Sequence, residues 1–190
     1  EVLVSHGNSR KKFSILLNLP DPTVFRREIP FAPHQPGETF ELIYHGIVTR
    51  RNGLDTAIRA VEMVRSSIPV HLKIIGGGDD VPRLRKLVKD MNLEDTVYLS
   101  GGYIPMDELM PHLGQAHLGV VTLLYDQVTR HMLPTKLMEY VSLGIPVAVA
   151  RTETIRAYFE PDMVRYFTPG NEVELAQHIT ELYHSPEERE

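Results

Sequence analysis

Residues 133–150 combine the signals that begin and end a helix with those of a buried strand. Pro134 stands where the first helical turn tolerates a missing backbone N–H, and Gly144 stands where helices commonly end. Residues 145–150 are apolar without interruption, which is typical of a strand that is covered on both faces. Strands of this kind belong to parallel sheets with helices on both sides, so this stretch strongly limits the possible folds.

The same alternation of strand and helix patterns continues along the chain from residue 40 onward. Short apolar runs predict strands over residues 40–45, 70–75, 97–99, 118–124, 145–150 and 164–167. Helical spacing of apolar residues predicts helices over residues 54–67, 84–91, 106–113, 134–143 and 173–183. The predicted fold is therefore α/β: a Rossmann-like, doubly wound, mostly parallel sheet with helices on both faces.

Residues 1–39 lack this alternation. Residues 13–17 predict one initial strand, and the prolines near residues 20–22 and 30–36 predict a long connection. We expect this segment to be part of the same domain as residues 40–190. The chain begins with Glu1 rather than methionine, so we expect it to be a fragment of a longer protein.

Composition disfavours several classes of function. The net charge of -5 argues against a dedicated nucleic-acid binder, and the absence of cysteine excludes disulfides and thiolate metal sites. The nine histidines include no pair at the spacing of a zinc-binding helix, so no metal site is expected. No run approaches the roughly 18 apolar residues of a membrane span. We predict a cytoplasmic location, with membrane-peripheral attachment of the full-length protein left open.

Ligands of doubly wound sheets bind beyond the carboxyl ends of the strands, and the first two predicted strands end in candidate loops. After the first strand, Gly46 allows close backbone approach, and Arg50 and Arg51 could clamp a diphosphate. A surface loop with solvated arginines is the alternative. After the second strand, Gly76 and Gly77 could pass beneath a ribose or phosphate. A plain turn with an aspartate helix cap from residues 79–80 explains those glycines equally well.

Two further segments follow later strands. Gly101 and Tyr103 could read and stack on a base, although a simple turn is at least as good an explanation. Lys136 and Glu139 lie three residues apart, on one face of a predicted helix near its N-terminus. Free N–H groups and a lysine suit a phosphate there, and the carboxylate could accept hydrogen bonds from ribose hydroxyls. The alternative is an exposed ion pair worth under ~1 kcal/mol.

The order of these motifs resembles the C-terminal, donor-binding domain of retaining glycosyltransferases of family 4, which form one half of a GT-B enzyme. The resemblance covers nearly the whole chain and is most specific over residues 134–147. The other matching segments are residues 18–25, 44–46, 53–60, 72–78, 97–101 and 116–121. In such enzymes the acceptor site belongs to an N-terminal domain, which we expect to be missing from this chain.

The resemblance implies roles for individual residues. Glu139 matches the second glutamate of the family's Glu-x7-Glu motif, which contacts the nucleotide ribose. The backbone of Thr135, Lys136 and Leu137 matches the helix start that receives the diphosphate, and Gly101 matches the base-contacting loop. Family members transfer a sugar from a nucleotide diphosphate sugar with retention and usually without a metal. The resemblance therefore implies no cofactor, because positive side chains and helix amides stabilise the leaving diphosphate.

Two positions depart from the family pattern. His131 stands where the first glutamate of the motif is expected, and either His131 or Arg130 would then hold the donor sugar. The usual arginine and lysine after the first strand fall on an isoleucine and an asparagine at positions 47 and 52. Arg51, or Arg50, would then contact the phosphates from a shifted position. The catalytic candidates are therefore Arg51, Lys136 and His131.

Three functions remain open on the sequence alone. The first is a glycosyltransferase donor domain, whose partners would be a nucleotide-sugar donor, the missing N-terminal domain and an acceptor saccharide or lipid-linked sugar, with no nucleic acid. The second is a non-catalytic nucleotide-binding module with a degenerate glycosyltransferase fold, which the two departures favour. The third is an unrelated interaction domain such as a receiver module, to which residues 79–80 fit poorly. For the isolated chain we expect nucleotide binding without turnover.

Overall fold

The computed structural model describes residues 5–7, 9–14, 16–26, 34–35 and 37–189 and contains one six-stranded sheet. Its strands are β1 (Phe40–His45), β2 (Val70–Ile75), β3 (Val97–Leu99), β4 (Leu118–Val121), β5 (Val147–Ala150) and β6 (Arg165–Phe167). Every neighbouring pair is parallel, and the strand order is β3-β2-β1-β4-β5-β6. This order is that of a Rossmann-like sheet, which confirms the predicted fold class.

Helices connect the strands. They are α1 (Leu54–Val64), α2 (Val81–Asp90), α3 (Met106–Gly114), α4 (Thr135–Leu143), α5 (Glu153–Arg156) and α6 (Glu172–His184). Every residue of β4 and β5 is buried, so the centre of the sheet is covered on both faces. No helix of the described part of the chain is long and apolar enough to span a membrane.

The predicted elements of residues 40–190 are all present, and the differences lie at their ends. The strand predicted over residues 145–150 starts at Val147, because the Ile145 N–H bonds to the Tyr140 carbonyl and so closes the C-terminus of α4. Gly144 adopts the left-handed conformation there with φ 73°. The strand predicted over residues 118–124 ends at Val121, and the helix predicted over residues 54–67 ends at Val64. The four-residue helix α5 was not predicted because it is too short to show periodicity.

The initial strand predicted over residues 13–17 is wrong for its described residues. Positions 13, 14, 16 and 17 lie in no strand, whereas position 15 lies outside the described residues. Leu16 is 95% exposed, so it does not have the burial that a strand of this sheet would give it. Of the predicted connection over residues 30–36, only His34 and Gln35 are described. That residues 1–39 belong to the same domain stays a prediction.

Tyr140 fixes α4 to the centre of the sheet. Its side chain is fully buried, and its hydroxyl donates to the Ile43 carbonyl at 3.3 Å and accepts from the His45 N–H at 3.2 Å. Its ring lies against Gly119 of β4, where an added Cβ would come within 2.6 Å of the ring. These contacts place the first turn of α4 beside the carboxyl end of β1.

A buried pair of histidines lies at the amino ends of the central strands β1 and β4. The rings of His34 and His117 are 4.9 Å apart, and His117 also stacks on Phe40. The Nδ1 atom of His117 accepts a hydrogen bond from the Glu41 N–H at 3.0 Å. Burial, reinforced by His34 and partly offset by Glu41, lowers the pKa of His117 from 6.5 to about 4. The folded protein therefore favours the neutral imidazole.

We expect this histidine to make the protein less stable in acid. Between the unfolded pKa of 6.5 and the folded pKa of about 4, the unfolded chain binds more protons at His117 than the folded chain does. The free energy of unfolding should therefore fall across this window by up to about 3 kcal/mol from this group. Urea denaturation at several pH values measures the fall, and His117→Asn should reduce it because asparagine accepts a hydrogen bond without titrating. An equal fall in both proteins would contradict this assignment.

Candidate functional site

A cavity of about 460 Å³ opens at the carboxyl end of β1. His45 and the β1–α1 loop line one side, and the first turns of α4 line the other with Thr135, Lys136 and Glu139. The strand order reverses between β1 and β4, which is the point where doubly wound sheets bind ligands. A larger cavity of about 600 Å³ lies at the amino ends of β5 and β6, away from this point, so we assign the site to the first cavity.

Helix α4 presents an uncapped N-terminus to the cavity. Pro134 precedes its first residue, and no side chain caps the helix. The first amides of a helix have no partner within the helix and carry a partial positive charge. The start of α4 is therefore suited to bind an anion.

Lys136 adds a cation without a counter-ion to this helix start. Its Nζ lies 4.6 Å from the centroid of the Tyr44 ring. Within the described part of the chain, no carboxylate oxygen lies within 4.0 Å of this nitrogen. Burial lowers the pKa of Lys136 to about 8, and Glu139 offsets this only in part. The alternative of an exposed Lys136–Glu139 ion pair is therefore wrong.

Glu139 lies one helical turn beyond the helix start. Its side chain is 15% exposed, and its Oε2 lies 3.1 Å from the Nε2 of His45. The cavity thus holds a cationic end formed by Lys136 and the α4 amides, and an acceptor carboxylate next to it. This arrangement can bind a ligand that carries an anion and hydroxyl groups close together.

The two candidate arginines have different surroundings. Arg51 lines the cavity and is exposed, and its backbone carbonyl accepts from the Leu124 N–H at 2.9 Å, which anchors the loop to the end of β4. Arg50 does not line the cavity: its side chain is 62% exposed, and its Nη1 lies 3.8 Å from Asp55. Of the two arginines, the structure therefore brings only Arg51 to the site.

Gly76 and Gly77 support the site from outside the cavity. Gly76 has φ 148°, and an added Cβ would overlap the carbonyl oxygen of Gly46. Gly77 lies against the backbone of Gly102. Neither glycine is among the residues that line the cavity, and together they pack three loops against one another. Their contact with the ligand stays a prediction. Asp80 is the N-cap residue of α2, as the alternative expected, but its carboxylate bonds to Arg83 at 2.6 Å instead of to α2 amides.

Four other candidates are not among the residues that line the cavity. Leu137 is fully buried on the same side of α4 as Tyr140, and its N–H bonds to the Pro134 carbonyl at 3.1 Å. His131 is exposed in the short turn Thr129–His131. The remaining two candidates, Gly101 and Tyr103, follow β3, with Tyr103 87% exposed. The cavity lining includes Lys136 and Glu139 but none of these four residues.

Sequence reasoning assigned no role to Tyr44 and His45, which contact Lys136 and Glu139. The signal was present, since His45 is a polar residue at the end of an apolar strand and at the binding edge of the sheet. No cluster of three or more metal-ligating side chains occurs among the described residues.

Comparison with known proteins identifies the family. Residues 25–190 match the family model described as Glycosyl transferases group 1. The chain belongs to this family. This group 1 chain is 29% identical over 180 residues to the putative colanic acid biosynthesis glycosyltransferase WcaL of Escherichia coli. It is 25% identical over 174 residues to the amylovoran biosynthesis glycosyltransferase AmsK of Erwinia amylovora. These matches cover 91% and 90% of this chain but only 42% of either relative, so the chain spans less than half their length.

Solved structures share the fold of this group 1 chain. Anabaena HepE in complex with UDP and glucose superposes with a TM-score of 0.77 at 16% identity, over 97% of this chain and 51% of that one. The C-terminal domain of the group 1 protein LpcC from Francisella tularensis gives a TM-score of 0.69 at 15% identity, over 90% of both chains. The Rossmann-like sheet described above is thus the one found in GT-B glycosyltransferases.

Proposed function

We propose that this chain is the donor-binding domain of a retaining glycosyltransferase and that its cavity binds a nucleotide diphosphate sugar. The observation that carries the proposal is Lys136, a half-buried cation without a carboxylate partner at the uncapped start of α4. Glu139 lies beside it in the same cavity. A diphosphate next to a ribose offers the anion and the hydroxyls that this pair of side chains can bind.

Each group has a distinct role in this proposal. The α4 amides and Lys136 bind the diphosphate, and Arg51 contacts it from the opposite side of the cavity. During transfer the same groups stabilise the negative charge that develops on the leaving nucleotide. Glu139 accepts hydrogen bonds from the ribose hydroxyls. Since these positive groups belong to the protein, we propose that the reaction needs no metal.

The proposal extends to the parent protein. The match to a C-terminal domain, and the length of the relatives beyond this chain, support a second, N-terminal domain that holds the acceptor. The relatives are described as enzymes of amylovoran and colanic acid biosynthesis, which supports a saccharide or lipid-linked acceptor. We propose that the parent is a family 4 enzyme of the cytoplasm, with membrane-peripheral attachment left open. We expect the isolated chain to bind the donor without turnover.

A second candidate function is a nucleotide-binding module without catalysis. The departure at residue 131 favours it, because His131 stands in place of the expected glutamate, is exposed and is not among the residues that line the cavity. Assay of the full-length protein with a broad panel of donors separates the two. If the full-length protein shows neither sugar transfer nor donor hydrolysis with any donor of the panel, only the binding function remains.

Isothermal titration of the 190-residue chain with UDP, GDP, ADP and their sugar conjugates tests the proposal, with EDTA present throughout. We expect one base to be preferred, and Glu139→Gln to weaken its binding. Ligand at about 100 times its dissociation constant should stabilise the fold by about 2.7 kcal/mol, which raises Tm by about 5–11 °C. Glu94→Gln, an exposed carboxylate before β3, is the control and should bind as the wild type does. Loss of binding in EDTA would contradict metal independence, and no binding at all would contradict the site.

The low pKa of Lys136 predicts a pH dependence of binding. Below about 8 the side chain is charged and attracts the diphosphate, and above it the free protein loses this proton. Affinity for a nucleotide sugar should therefore fall above pH 8, by up to about tenfold per pH unit. Lys136→Arg should bind with little change over the same range, because arginine stays protonated. Parallel pH profiles for both proteins, measured by titration calorimetry, would contradict the role of Lys136.

A further inference from the structure

His45 is a cavity residue with an unusual environment. It is the last residue of β1, and its side chain is only 9% exposed. Its Nε2 is buried and has no aligned hydrogen-bond partner in the described part of the chain, although Glu139 Oε2 lies 3.1 Å away. Leaving a buried polar group unpaired costs about 1–3 kcal/mol, so a natural protein that keeps one calls for an explanation.

The position of the His45 ring is fixed by its neighbours. Its backbone N–H donates to the Tyr140 hydroxyl at 3.2 Å, and its ring packs edge-on against the Tyr140 ring at 5.1 Å. Tyr140 is fully buried and follows Glu139 directly in α4. The imidazole is therefore held beside the carboxylate by the same contacts that attach α4 to the sheet.

Glu139 has a competing partner on its own helix. Lys136 lies three residues earlier, at a spacing that commonly gives ion pairs on helices. In this structure the Lys136 ammonium lies over the Tyr44 ring instead, and Glu139 lies next to His45. Tyr44 and His45, the last two residues of β1, thus contact Lys136 and Glu139 separately, and the two opposite charges form no ion pair with each other. An ion pair between them would neutralise the cation that receives the diphosphate and turn the carboxylate away from the ribose.

We propose that His45 is a positioning residue for donor binding, which sets the preference of the site for ribonucleotides. Its Nε2–H donates to Glu139 Oε2 and directs the other carboxylate oxygen at the ribose hydroxyls. The terminal torsion of a glutamate is soft, so the carboxylate turns to complete this bond at little cost. This inference rests on the proposed function, because it requires that Glu139 binds the ribose.

The test compares ribonucleotides with deoxyribonucleotides. Dissociation constants are measured by calorimetry for UDP, GDP and ADP and for their 2′-deoxy forms. The variants are then compared with the wild type on the two nucleotides of the base that the wild type binds most tightly. We expect His45→Phe to weaken binding of the ribonucleotide about tenfold, as for the loss of one hydrogen bond to a charged group. Binding of the deoxynucleotide, which keeps only the 3′-hydroxyl, should weaken less, so the ribose preference becomes smaller. His45→Gln, which keeps an N–H donor, should restore part of the preference.

Two controls separate positioning from a structural role. In the Glu139→Gln background, His45→Phe should have no further effect on the ribose preference. His71→Phe replaces a histidine of β2 outside the cavity and should behave as the wild type does. Equal weakening of both nucleotides in His45→Phe would show that the ring only supports the fold and would overturn the inference, as would an unchanged preference.

Failure of the inference is distinguishable from failure of the proposed function. A wild-type ribose preference that persists in His45→Phe overturns only the role of His45, whereas a wild-type chain that binds no nucleotide overturns both. If His45→Phe does not fold, imidazole nitrogen NMR of the wild type replaces it. The Nε2–H signal of His45 should become more protected from exchange with the ribonucleotide than with the deoxynucleotide, and equal protection would overturn the inference.

Discussion

Lys136→Met should weaken nucleoside diphosphate binding by about 10- to 150-fold, which corresponds to loss of one charge-assisted contact of about 1.5–3 kcal/mol. Methionine keeps an unbranched apolar chain that can pack against Tyr44, over whose ring the Lys136 ammonium lies. The fold should therefore not lose stability. It should gain some, because burial of the Lys136 ammonium without a carboxylate partner opposes folding, as its lowered pKa of about 8 shows.

We therefore expect Lys136→Met to weaken nucleotide binding and to raise the free energy of unfolding. Titration calorimetry measures the first, and urea denaturation of the ligand-free chain measures the second. Lys89→Met removes the same charge from the exposed C-terminal turn of α2 and should leave affinity unchanged. If Lys136→Met lowers both the free energy of unfolding and the affinity for nucleotide, Lys136 stabilises the fold, and its role as a ligand-binding residue is contradicted.

Gly76→Ala should destabilise the chain by about 2–6 kcal/mol, the sum of backbone strain and steric overlap. Gly76 has a φ of 148°, which side-chain-bearing residues rarely adopt. The carbonyl oxygen of Gly46 occupies the space that a Cβ at Gly76 would need. The added methyl group must displace backbone, because no flexible side chain is there to move. Since Gly46 lines the cavity, variants that still fold should also bind nucleotide more weakly.

Gly102→Ala is a matched control in the adjacent β3–α3 loop. An added Cβ at Gly102 meets no atom within 4 Å, and its φ is outside the left-handed region. Its free energy of unfolding should stay within about 0.5 kcal/mol of the wild type. Equal losses from both substitutions, measured by urea denaturation, would show that the loops are not packed as described.

The sequence predicted the sheet well because burial determines its pattern. Fully buried strands such as β5 give continuous apolar runs, and helices such as α1 repeat their apolar residues at helical spacing. The ends were less predictable because they depend on single hydrogen bonds, such as that of the Ile145 N–H with the Tyr140 carbonyl. Such bonds leave no periodic signal.

The site was predicted in part. Lys136 and Glu139 share a helix face, so their spacing was enough to place them together. Arg50 and Arg51 are adjacent, and only the fold of the loop decides that Arg51 lines the cavity while Arg50 lies near Asp55. The role of Gly76 as a contact for Gly46 is likewise a property of two loops that are distant in sequence.

A crystal structure of the chain with the nucleoside diphosphate selected by calorimetry would locate the bound ligand. We expect the diphosphate within hydrogen-bonding distance of Lys136 Nζ and the first amides of α4, with the ribose hydroxyls on Glu139. A nucleotide bound outside this cavity, or bound with its diphosphate away from Lys136, would contradict the proposed site.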